Sequence, residues 1–208
     1  MISRLSAMGA DEVVIVDGGS NDATRSILKS SGLAWTGAES GRARQMNAGA
    51  ALSESEILLF LHADTVIEAS HLLAVREAMQ DERCVGGRFD VVLSGEHPAF
   101  RMIAWFMNIR SRLSRISTGD QSQFVRRSVF EKIGGFPELP LMEDVTFSKL
   151  LKREGSIACL RKKVITSSRR WEHNGIFRTA LLMWKLRLLY WLGRPADELA
   201  AMYRKSGA

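Results

Sequence analysis

The stretch VVIVDGGSNDAT, residues 13–24, constrains the fold of this chain more than any other part of the sequence. Its four β-branched residues, Val13 to Val16, predict a strand that is buried on both faces, as in a parallel sheet. The residues that follow favour a tight turn and the N-terminal cap of a helix: Gly18, Gly19, Ser20, Asn21 and Asp22. The stretch therefore predicts a strand, a tight turn and a helix.

Asp17 would lie at the carboxyl end of this strand, where ligands bind in open parallel sheets. An acid at that position suits the hydroxyl of a ribose or the N–H of a base. A phosphate cradle is a weaker alternative, because the spacing is not GxGxxG and no lysine follows as in a P-loop. In the remaining alternative, Asp17 only caps the turn. The stretch favours a nucleoside contact and leaves the purely structural role open.

Strands and helices alternate along the first half of the chain. We predict strands at 33–38, 56–65 and 84–93, the last broken by its glycines, and helices at 41–52 and 70–80. The second half is less regular, with predicted helices at 98–116, 142–155, 176–193 and 195–205, a strand followed by a helix within 121–136, and short strands at 156–161 and 163–168. This order of elements predicts an α/β domain with a mainly parallel sheet.

Length and composition are those of one globular domain. The 208 residues are enough to bury a core, and the hydrophobic content of 46% is ordinary. The net charge of +6 suits an anionic partner, such as nucleic acid, a membrane surface or a phosphorylated ligand. Only two cysteines are present, so a reducing, cytoplasmic compartment is expected. We expect no membrane-spanning helix, because no run of about 18 uncharged apolar residues occurs, and we expect His71 and His97 at the surface.

A second polar strand end follows in LHAD, residues 61–64. The sheet would bring it beside Asp17 and form a polar crevice. A carboxylate beside a histidine, here Asp64 and His62, can hold a divalent cation that bridges a diphosphate. In the structural alternative, Asp64 caps a turn and His62 is hydrogen-bonded locally. His173, late in the chain, is a further candidate for such a metal site.

Two more clusters carry charges that suit phosphate chemistry. Arg42 and Arg44 lie near the predicted start of a helix, where backbone N–H groups favour anions and guanidinium groups add bidentate contacts. A solvated basic face is the alternative. Glu143 and Asp144 also begin a helix, where acids commonly stabilise the dipole. If they instead face a diphosphate site, one of them could take a proton from an attacking hydroxyl as a general base.

Six short motifs, in this order, resemble those of family 2 glycosyltransferases with the A-type fold. They are VVIVDGGSNDAT, GRARQMNAGA, LLFLHADT, GDQSQFVRR, FEKIGGFPELPLMEDVTFSKLLKREG and RRWEHNG. The resemblance covers nearly the whole chain and is strongest to a small bacterial branch described as selenodomain-associated transferases. It implies one α/β domain, residues 1–208, with a Rossmann-like sheet. Residues 1–97 would bind a nucleotide sugar, and residues 98–208 would form the acceptor side and the C-terminal helices.

The resemblance implies roles for residues at matching positions. Asp17 would contact the nucleoside of the donor. Asp64 would hold Mg2+ or Mn2+ together with His62, which stands where the family commonly has the first acid of an Asp-x-Asp pair. Asp144 would be the catalytic base, with Glu143 beside it. The other donor-side residues would be Gly18, Gly19, Ser20, Asp22, Arg42, Arg44 and Asn47, and those on the acceptor side Gly119, Asp120, Gln121, Arg170 and Trp171.

The N-terminal segment departs from the family pattern. Family members begin with a further strand and a loop that walls the base pocket, whereas MISRLSAMGADE resembles the end of the helix that follows that strand. We therefore expect the first strand to be missing, through a late start or because the sequence is a fragment. Its absence would leave a gap in the hydrogen bonding of the sheet.

The sequence thus predicts an inverting, metal-assisted glycosyltransferase that moves a sugar from a nucleotide-diphosphate donor to a hydroxyl acceptor. A nucleotidyltransferase, which would release pyrophosphate, is the nearest enzymatic alternative. An inactive module that binds an anionic ligand or a membrane surface is the alternative from another class. The helices at 98–116 and 176–193 combine aromatic and basic residues. Either packing in the core or contact with a membrane surface would explain this composition. A lipid-linked acceptor and peripheral contact with the inner face of the membrane stay open, and no nucleic-acid partner is expected.

Overall fold

The computed structural model describes residues 8–206. Its strands are β1 (Val14–Asp17), β2 (Ala34–Gly37), β3 (Ile57–Leu59), β4 (Thr65–Val66), β5 (Cys84–Leu93), β6 (Phe124–Arg126) and β7 (Ser156–Thr166). Its helices are α1 (Thr24–Ser30), α2 (Arg42–Leu52), α3 (Ala69–Ala78), α4 (Pro98–Ser114), α5 (Arg127–Lys132), α6 (Glu143–Glu154), α7 (Arg169–Asn174), α8 (Ile176–Trp191) and α9 (Ala196–Lys205). A 3-10 turn spans Gly119–Gln121. The helix end predicted at the N-terminus falls largely on residues 1–7, outside the described range.

The described strands form two sheets. Strands β1 and β2 pair in parallel, and the larger sheet has the order β3-β6-β5-β7-β4. The predicted α/β class is confirmed, but the larger sheet is mixed rather than mainly parallel. Of its pairings only β5–β7 is parallel, and the others are antiparallel. The hydrophobic pattern reports the burial of a strand and not its direction, so the sequence could not reveal this.

Three observed strands, β1, β3 and β7, differ from the predictions. Strand β1 is only half-buried over Val14–Val16, because β2 is its one partner among the described strands. The strand predicted at 56–65 ends at Leu59, and the chain then turns, with Thr65 N donating to His62 O at 3.0 Å. The two short strands predicted from 156 to 168 are one strand, β7.

The glycines of β5 do not break the strand. A β-carbon at Gly86 would overlap Phe124 O, and one at Gly87 would overlap Ala158 O. The absent side chains let β6 and β7 approach β5 closely on both of its edges. The glycine pair therefore belongs to the centre of the larger sheet, where it serves close packing.

Helices cover both faces of the larger sheet. One core lies between the sheet and α2, α5 and α6, and it holds four packed phenylalanine rings with centroids 4.0–6.4 Å apart. A second core includes Val75 of α3 and Met79, which follows that helix. A third core joins α6 to α8 and α9 through Val145, Leu186 and Leu199. Within residues 8–206, no helix is long and apolar enough to cross a membrane.

His71, which we expected at the surface, is buried. Its Nε2 lies 2.9 Å from Lys163 O, and its Nδ1 accepts from the backbone N–H of Glu68 at 3.1 Å. Its ring also contacts Phe89, with centroids 5.2 Å apart. The surface prediction was wrong because the imidazole finds polar partners on both nitrogens inside the fold. His97 is exposed, as expected, and its Nδ1 caps α4.

Buried ion pairs fix α4 against the sheet. Arg88, almost fully buried on β5, pairs with Asp90, whose two carboxylate oxygens also accept from Arg112 of α4 at 2.9 Å. The amide of Asn108 adds hydrogen bonds to Val91 N and O at 2.8 and 3.0 Å. These contacts place the helix that carries Arg110 beside the crevice described next.

Candidate active site

The turn after β1 is closed by Asp17. The backbone N–H of Ser20 donates to both carboxylate oxygens at 3.0 and 3.3 Å, and Arg25 Nε donates at 2.7 Å. The contact with Ser20 first, and then Arg25, holds the pKa of Asp17 well below its usual range. Gly19 has φ +97°, a conformation that L side chains rarely adopt. Asp17 therefore caps this turn, and its contact with a nucleoside stays a prediction.

Two other residues of this turn, Gly18 and Asp22, make different contacts. Asp22 is exposed, and its side chain accepts from the backbone N–H of Thr24, the first residue of α1, at 2.9 Å. A β-carbon at Gly18 would overlap the side-chain amide of Gln45. The absent side chain at Gly18 thus leaves room for Gln45 of α2 beside the turn.

The predicted acid pair begins helix α6, and both side chains are buried. Asp144 Oδ1 accepts from Val145 N at 2.7 Å, and its Oδ2 accepts from Gly119 N at 2.9 Å. The second bond joins α6 to the 3-10 turn that carries Asp120. These bonds hold the carboxylates of Asp144 and Asp120 in one crevice, although the two segments are well separated along the chain.

Arg42, the first residue of α2, faces the same crevice. Its Nη1 lies 3.9 Å from Glu143 Oε1. Burial, and then the charge of Asp144, raise the pKa of Glu143. Burial alone would lower the pKa of Arg42, but Glu143, Asp120 and further acidic groups outweigh it and raise that pKa. Arg42 thus lies in the field of the acids and neutralises part of their charge.

His62 packs against Gly119 and Asp120 of the 3-10 turn. Its Nδ1 is 3.7 Å from Asp120 Oδ1, and a β-carbon at Gly119 would overlap the imidazole ring. Burial alone would raise the pKa of Asp120. The neighbouring His62 and the charges of Arg42 and Arg187 outweigh burial, so the pKa of Asp120 is lowered. His62 Nε2 is buried and has no hydrogen-bond partner among the described residues. It is a buried polar atom that packs beside Gly119.

Two arginines that the sequence analysis did not single out complete the crevice. Arg110 of α4 donates from Nη1 to Ile116 O at 3.2 Å, while its buried Nη2 has no partner within residues 8–206. Burial, together with the charge of Arg187, lowers the pKa of Arg110 to about 9. Burial also lowers the pKa of Arg187 on α8, against the attraction of Asp144 and Asp120. Two guanidinium groups thus lie close enough for their charges to interact with each other and with the acids, an arrangement suited to an anion.

A buried polar network supports Asp144 from behind. Gln123 Nε2 donates to Ser117 Oγ at 2.9 Å, to Ser148 Oγ at 2.8 Å and to Asp144 O at 3.3 Å. Ser148 Oγ also donates to Asp144 O at 2.9 Å. The start of α6 is therefore held in place by side chains as well as by its own helix. Gln123 lies within the GDQSQF motif, but its support of Asp144 was not predicted. That role depends on its burial, which the sequence does not reveal.

Backbone strain flanks both acid-bearing segments. Met142, just before Glu143, has φ +67°, and Ser122, just after the 3-10 turn, has φ +47°. Non-glycine residues seldom adopt this left-handed conformation. It costs of order 1–3 kcal/mol per residue, and it persists where the surroundings enforce it, commonly at functional sites. The two strained residues support the view that this crevice is a site and not an accident of packing.

Few side chains in the described part of the chain are placed to bind a metal ion. Asp64 lies in the exposed turn between β3 and β4, and residues 8–206 contain no group of three or more His, Cys, Asp or Glu placed to hold a metal ion. Mg2+ commonly binds through one or two carboxylates together with substrate phosphates. The carboxylate of Asp64 is a donor of this kind, and the imidazole of His62 would add a nitrogen donor. These residues fit a cation that shares its ligands with a diphosphate, and not one enclosed by protein alone.

Two predicted donor residues have other partners in the structure. Arg44 is held by two exposed carboxylates, Glu39 at 2.5 Å and Glu138 at 3.2 Å. Asn47 clamps the backbone of Phe136, donating to its oxygen at 2.8 Å and accepting from its N–H at 2.9 Å. The amide of Asn47 thus ties α2 to the loop before α6, and donor binding by these two residues stays a prediction.

Only some of the predicted acceptor-side residues face the crevice. Gly119 and Asp120 face the crevice, but Gln121 is fully buried, with Nε2 donating to Ser111 Oγ at 2.9 Å. It offers no surface to an acceptor, because its polar atoms bind the chain itself. Arg170 stacks on the Tyr203 ring, with its guanidinium carbon 3.7 Å from the centroid. Trp171, half-buried, and His173, exposed, lie with it on the short helix α7.

Replacing Glu143 by Gln is expected to stabilise the fold at neutral pH. Because the pKa of Glu143 is raised, the folded state binds more protons than the unfolded state between the unfolded and the folded pKa. The stability contribution is therefore present at acidic pH and lost as the pH rises through the folded pKa. The substitution also removes the ion pair with Arg42, but this pair is long, at 3.9 Å, and its guanidinium is half-exposed, so it contributes little to stability.

Urea unfolding of both proteins over a pH series measures this effect. The difference in the free energy of unfolding should vanish in acid, below the ordinary glutamate pKa of about 4.3, and become positive toward neutral pH. A variant that is less stable than the wild type at neutral pH would show that ionised Glu143 stabilises the fold instead.

The fold and crevice together define a class of protein. Acids and cations from several elements meet beside the ends of strands in an α/β domain, as in enzymes that bind nucleotides. Residues 3–136 match the family described as glycosyl transferase family 2, and the chain belongs to this family. The acid pair Glu143 and Asp144 lies beyond the matched segment. No curated protein matches the sequence.

Solved structures share the fold. TarS of S. aureus in complex with UDP is 20% identical with a TM-score of 0.59, and the match covers 80% of this chain and 56% of that one. The mannosyltransferase PcManGT of Pyrobaculum calidifontis, in complex with GDP-Man and Mn2+, is 21% identical with a TM-score of 0.55, covering 74% and 47%. Glucosyl-3-phosphoglycerate synthase of Mycobacterium tuberculosis, in complex with Mn2+ and UDP-glucose, is 13% identical with a TM-score of 0.52, covering 74% and 59%. This chain thus corresponds to about half of the length of these proteins.

Proposed function

We propose that this chain transfers a sugar from a nucleotide-diphosphate donor to a hydroxyl acceptor, with inversion at the anomeric carbon. Family membership supports the reaction class, and similar structures contain UDP or nucleotide sugars. The observation that carries the proposal is the crevice, where Asp120, Glu143 and Asp144 meet Arg42 and Arg187. It offers a base for a hydroxyl proton beside cations for a diphosphate.

The proposed reaction is a single displacement. The acceptor oxygen attacks C1 of the sugar, and the bond from C1 to the phosphate oxygen breaks as the new bond forms. The nucleoside diphosphate leaves with the electron pair. Asp144 takes the proton of the acceptor hydroxyl. Its two backbone hydrogen bonds orient the carboxylate, and the remaining lone pairs of its oxygens are available for that proton.

Other residues of the chain bind the donor in this proposal. Asp17 and its turn hold the nucleoside, and Arg42 offsets the charge of the phosphates. Asp64 and His62 would hold Mg2+ or Mn2+, which supplies electrostatic stabilisation to a departing diphosphate when bound. Residues 1–97 would form the donor half and residues 98–208 the acceptor half. The domain would work in the cytoplasm, and a lipid-linked acceptor would suit the apolar helices described below.

The products distinguish this proposal from its alternatives. Purified protein is incubated with a panel of nucleotide sugars and Mg2+ or Mn2+, and released nucleotides are separated by chromatography. A glycosyltransferase yields a nucleoside diphosphate, by transfer or by slow hydrolysis. In a parallel incubation with nucleoside triphosphates and sugar 1-phosphates, release of pyrophosphate would identify a nucleotidyltransferase. Binding without turnover for every substrate would identify an inactive module.

Arg42→Ala is expected to weaken donor binding by about tenfold to hundredfold, because a charge-assisted hydrogen bond contributes roughly 1.5–3 kcal/mol. Binding of the nucleoside alone should hardly change, since Arg42 is assigned to phosphate. Titration calorimetry with nucleotide sugar and with nucleoside measures both. Arg83→Ala is the matched control, because its guanidinium is exposed and pairs with Asp81 just before β5. Equal losses for both ligands would move Arg42 to the base pocket or to a structural role.

A further inference from the structure

Large apolar side chains on α4 and α8 are exposed to solvent. Eleven of the sixteen large apolar residues that are exposed in the described part of the chain lie on these helices or directly after α8. We call them the apolar face: Met102, Trp105, Phe106, Ile109, Leu113, Phe177, Leu181, Trp184, Leu188, Trp191 and Leu192. Their exposed fractions run from 36% to 81%. A concentration of this kind marks an interaction surface, because soluble chains seldom leave so large an apolar patch uncovered.

The two helices present this face as one surface. On α8 the exposed positions recur every three or four residues, from Phe177 to Trp191, and so form a single stripe. On α4 the same spacing joins Met102 to Leu113. The stripes touch where Phe106 meets Trp184, with ring centroids 6.0 Å apart.

The charged residues of the two helices all have one sign. Helices α4 and α8 contain six basic residues and no acidic residue. Arg110 and Arg187 face the crevice and Arg112 pairs with Asp90, while the exposed ones are Arg101, Arg178 and Lys185. Aromatic residues beside lysine and arginine are the composition of helices that lie in the interface of an anionic membrane.

A groove beside α4 extends this surface. It has a volume of about 620 Å³ and runs between α4 and the strands β5 and β7. Trp105 and Ile109 of the apolar face line it, together with the exposed cations Arg101, Arg161 and Lys163. Its apolar floor and basic rim match the two ends of an anionic lipid.

We propose that the apolar face and its basic rim dock this protein on a membrane that contains anionic lipid. A second copy of the chain is a weaker occupant, because pairing two such faces would bring like charges from both rims together. Docking requires no spanning helix, since side chains of this size reach into the headgroup region from a helix that lies flat.

The docking also sets the orientation of the crevice. Helix α8 carries Arg187 toward Asp144 and Asp120, and it carries Trp184 and Leu188 outward. If the proposed function holds, an acceptor hydroxyl carried on a lipid would reach Asp144 from the docked side. Docking itself does not depend on glycosyl transfer and is tested without a nucleotide sugar.

The experiment is flotation of the protein with vesicles of phosphatidylcholine, with or without phosphatidylglycerol. We expect binding that needs phosphatidylglycerol and weakens as salt is added. Tryptophan emission should shift to the blue on binding, because three of the five tryptophans lie on the apolar face. The double variant Trp105→Ser with Trp184→Ser should bind at least about tenfold more weakly.

Ile27→Ser with Leu73→Ser is the matched control, because both residues are exposed apolar positions on α1 and α3, away from the face. It should bind like the wild type, and both double variants should melt like the wild type. The proposal fails if the protein ignores anionic vesicles or if the Trp105 and Trp184 variant binds them equally well. It also fails if the protein forms a dimer that this variant abolishes while vesicles are not bound, since the face would then join two copies.

Discussion

Asp144→Asn is expected to lower turnover by about 10²- to 10⁴-fold while leaving the dissociation constant of the donor nearly unchanged. A general base acts on the acceptor proton in the transition state, so its loss affects the chemical step more than donor binding. Initial rates at saturating donor and acceptor, with donor affinity from calorimetry, separate the two effects. The effect is large because the base takes part directly in the chemical step.

The substitution is not purely electrostatic in this structure. Both oxygens of Asp144 accept backbone N–H groups, so the amide nitrogen of Asn would face either Val145 N or Gly119 N. An unmet donor of this kind costs about 1–3 kcal/mol. The melting temperature must therefore be measured beside the rate, because displacement of the 3-10 turn could also lower turnover.

Chemical rescue distinguishes a base from a positioning residue. In Asp144→Ala, added formate can take the proton in place of the missing carboxylate, but it cannot restore the hydrogen bond to the turn. Rescue of turnover by formate would therefore support the role of base. Glu143→Gln is the companion variant, and it should retain most of its activity. If Asp144→Asn turns over normally and Glu143→Gln does not, the base is Glu143, and if both retain activity the displacement mechanism is wrong.

Local patterns allowed much of the fold to be predicted. The strand, turn and helix at 13–30 depend on neighbouring residues alone, and the structure contains β1 and α1 there. The direction of β4 and β6 depends instead on pairings between distant segments, such as Phe124 with Leu59 and with Gly87. Periodicity contains no information about those partners, and the sheet was therefore predicted to be more parallel than it is.

The crevice was predictable only where a motif marked it. Asp120, Glu143 and Arg42 were identified from short motifs, and the fold brings them together. Arg110 and Arg187 were missed, because each is one cation in an amphipathic helix and such cations are usually solvated. A cation among buried neighbours is visible only after the helices have packed. Asn47 is the opposite case. Its motif predicted contact with the donor, whereas in the structure its amide binds the backbone of Phe136.

A pair of exposed acids provides the sharpest test of the metal assignment. Asp64 and Glu77 are both exposed, Asp64 in the turn after β3 and Glu77 on the outer side of α3. Neither side chain packs in a core, so replacement of either by Ala should leave the melting temperature unchanged. Any difference between the two variants in metal-dependent binding then reports on position and not on stability.

Asp64→Ala is expected to remove the metal-dependent part of donor binding, with a loss of at least about hundredfold. Loss of a residue that only supports a metal ligand already costs about 10- to 100-fold, and Asp64 is proposed as the ligand itself. Calorimetry with nucleotide sugar is run with Mn2+ and again with excess chelator. The wild type and Glu77→Ala should bind more tightly with Mn2+, whereas Asp64→Ala should bind with the same weak affinity in both conditions. His62→Ala should give a smaller loss, because the imidazole is the second donor in this proposal. Tight, Mn2+-dependent binding by Asp64→Ala would remove this residue from the cation site and leave His62 Nε2 and Asp120 as the candidates to examine.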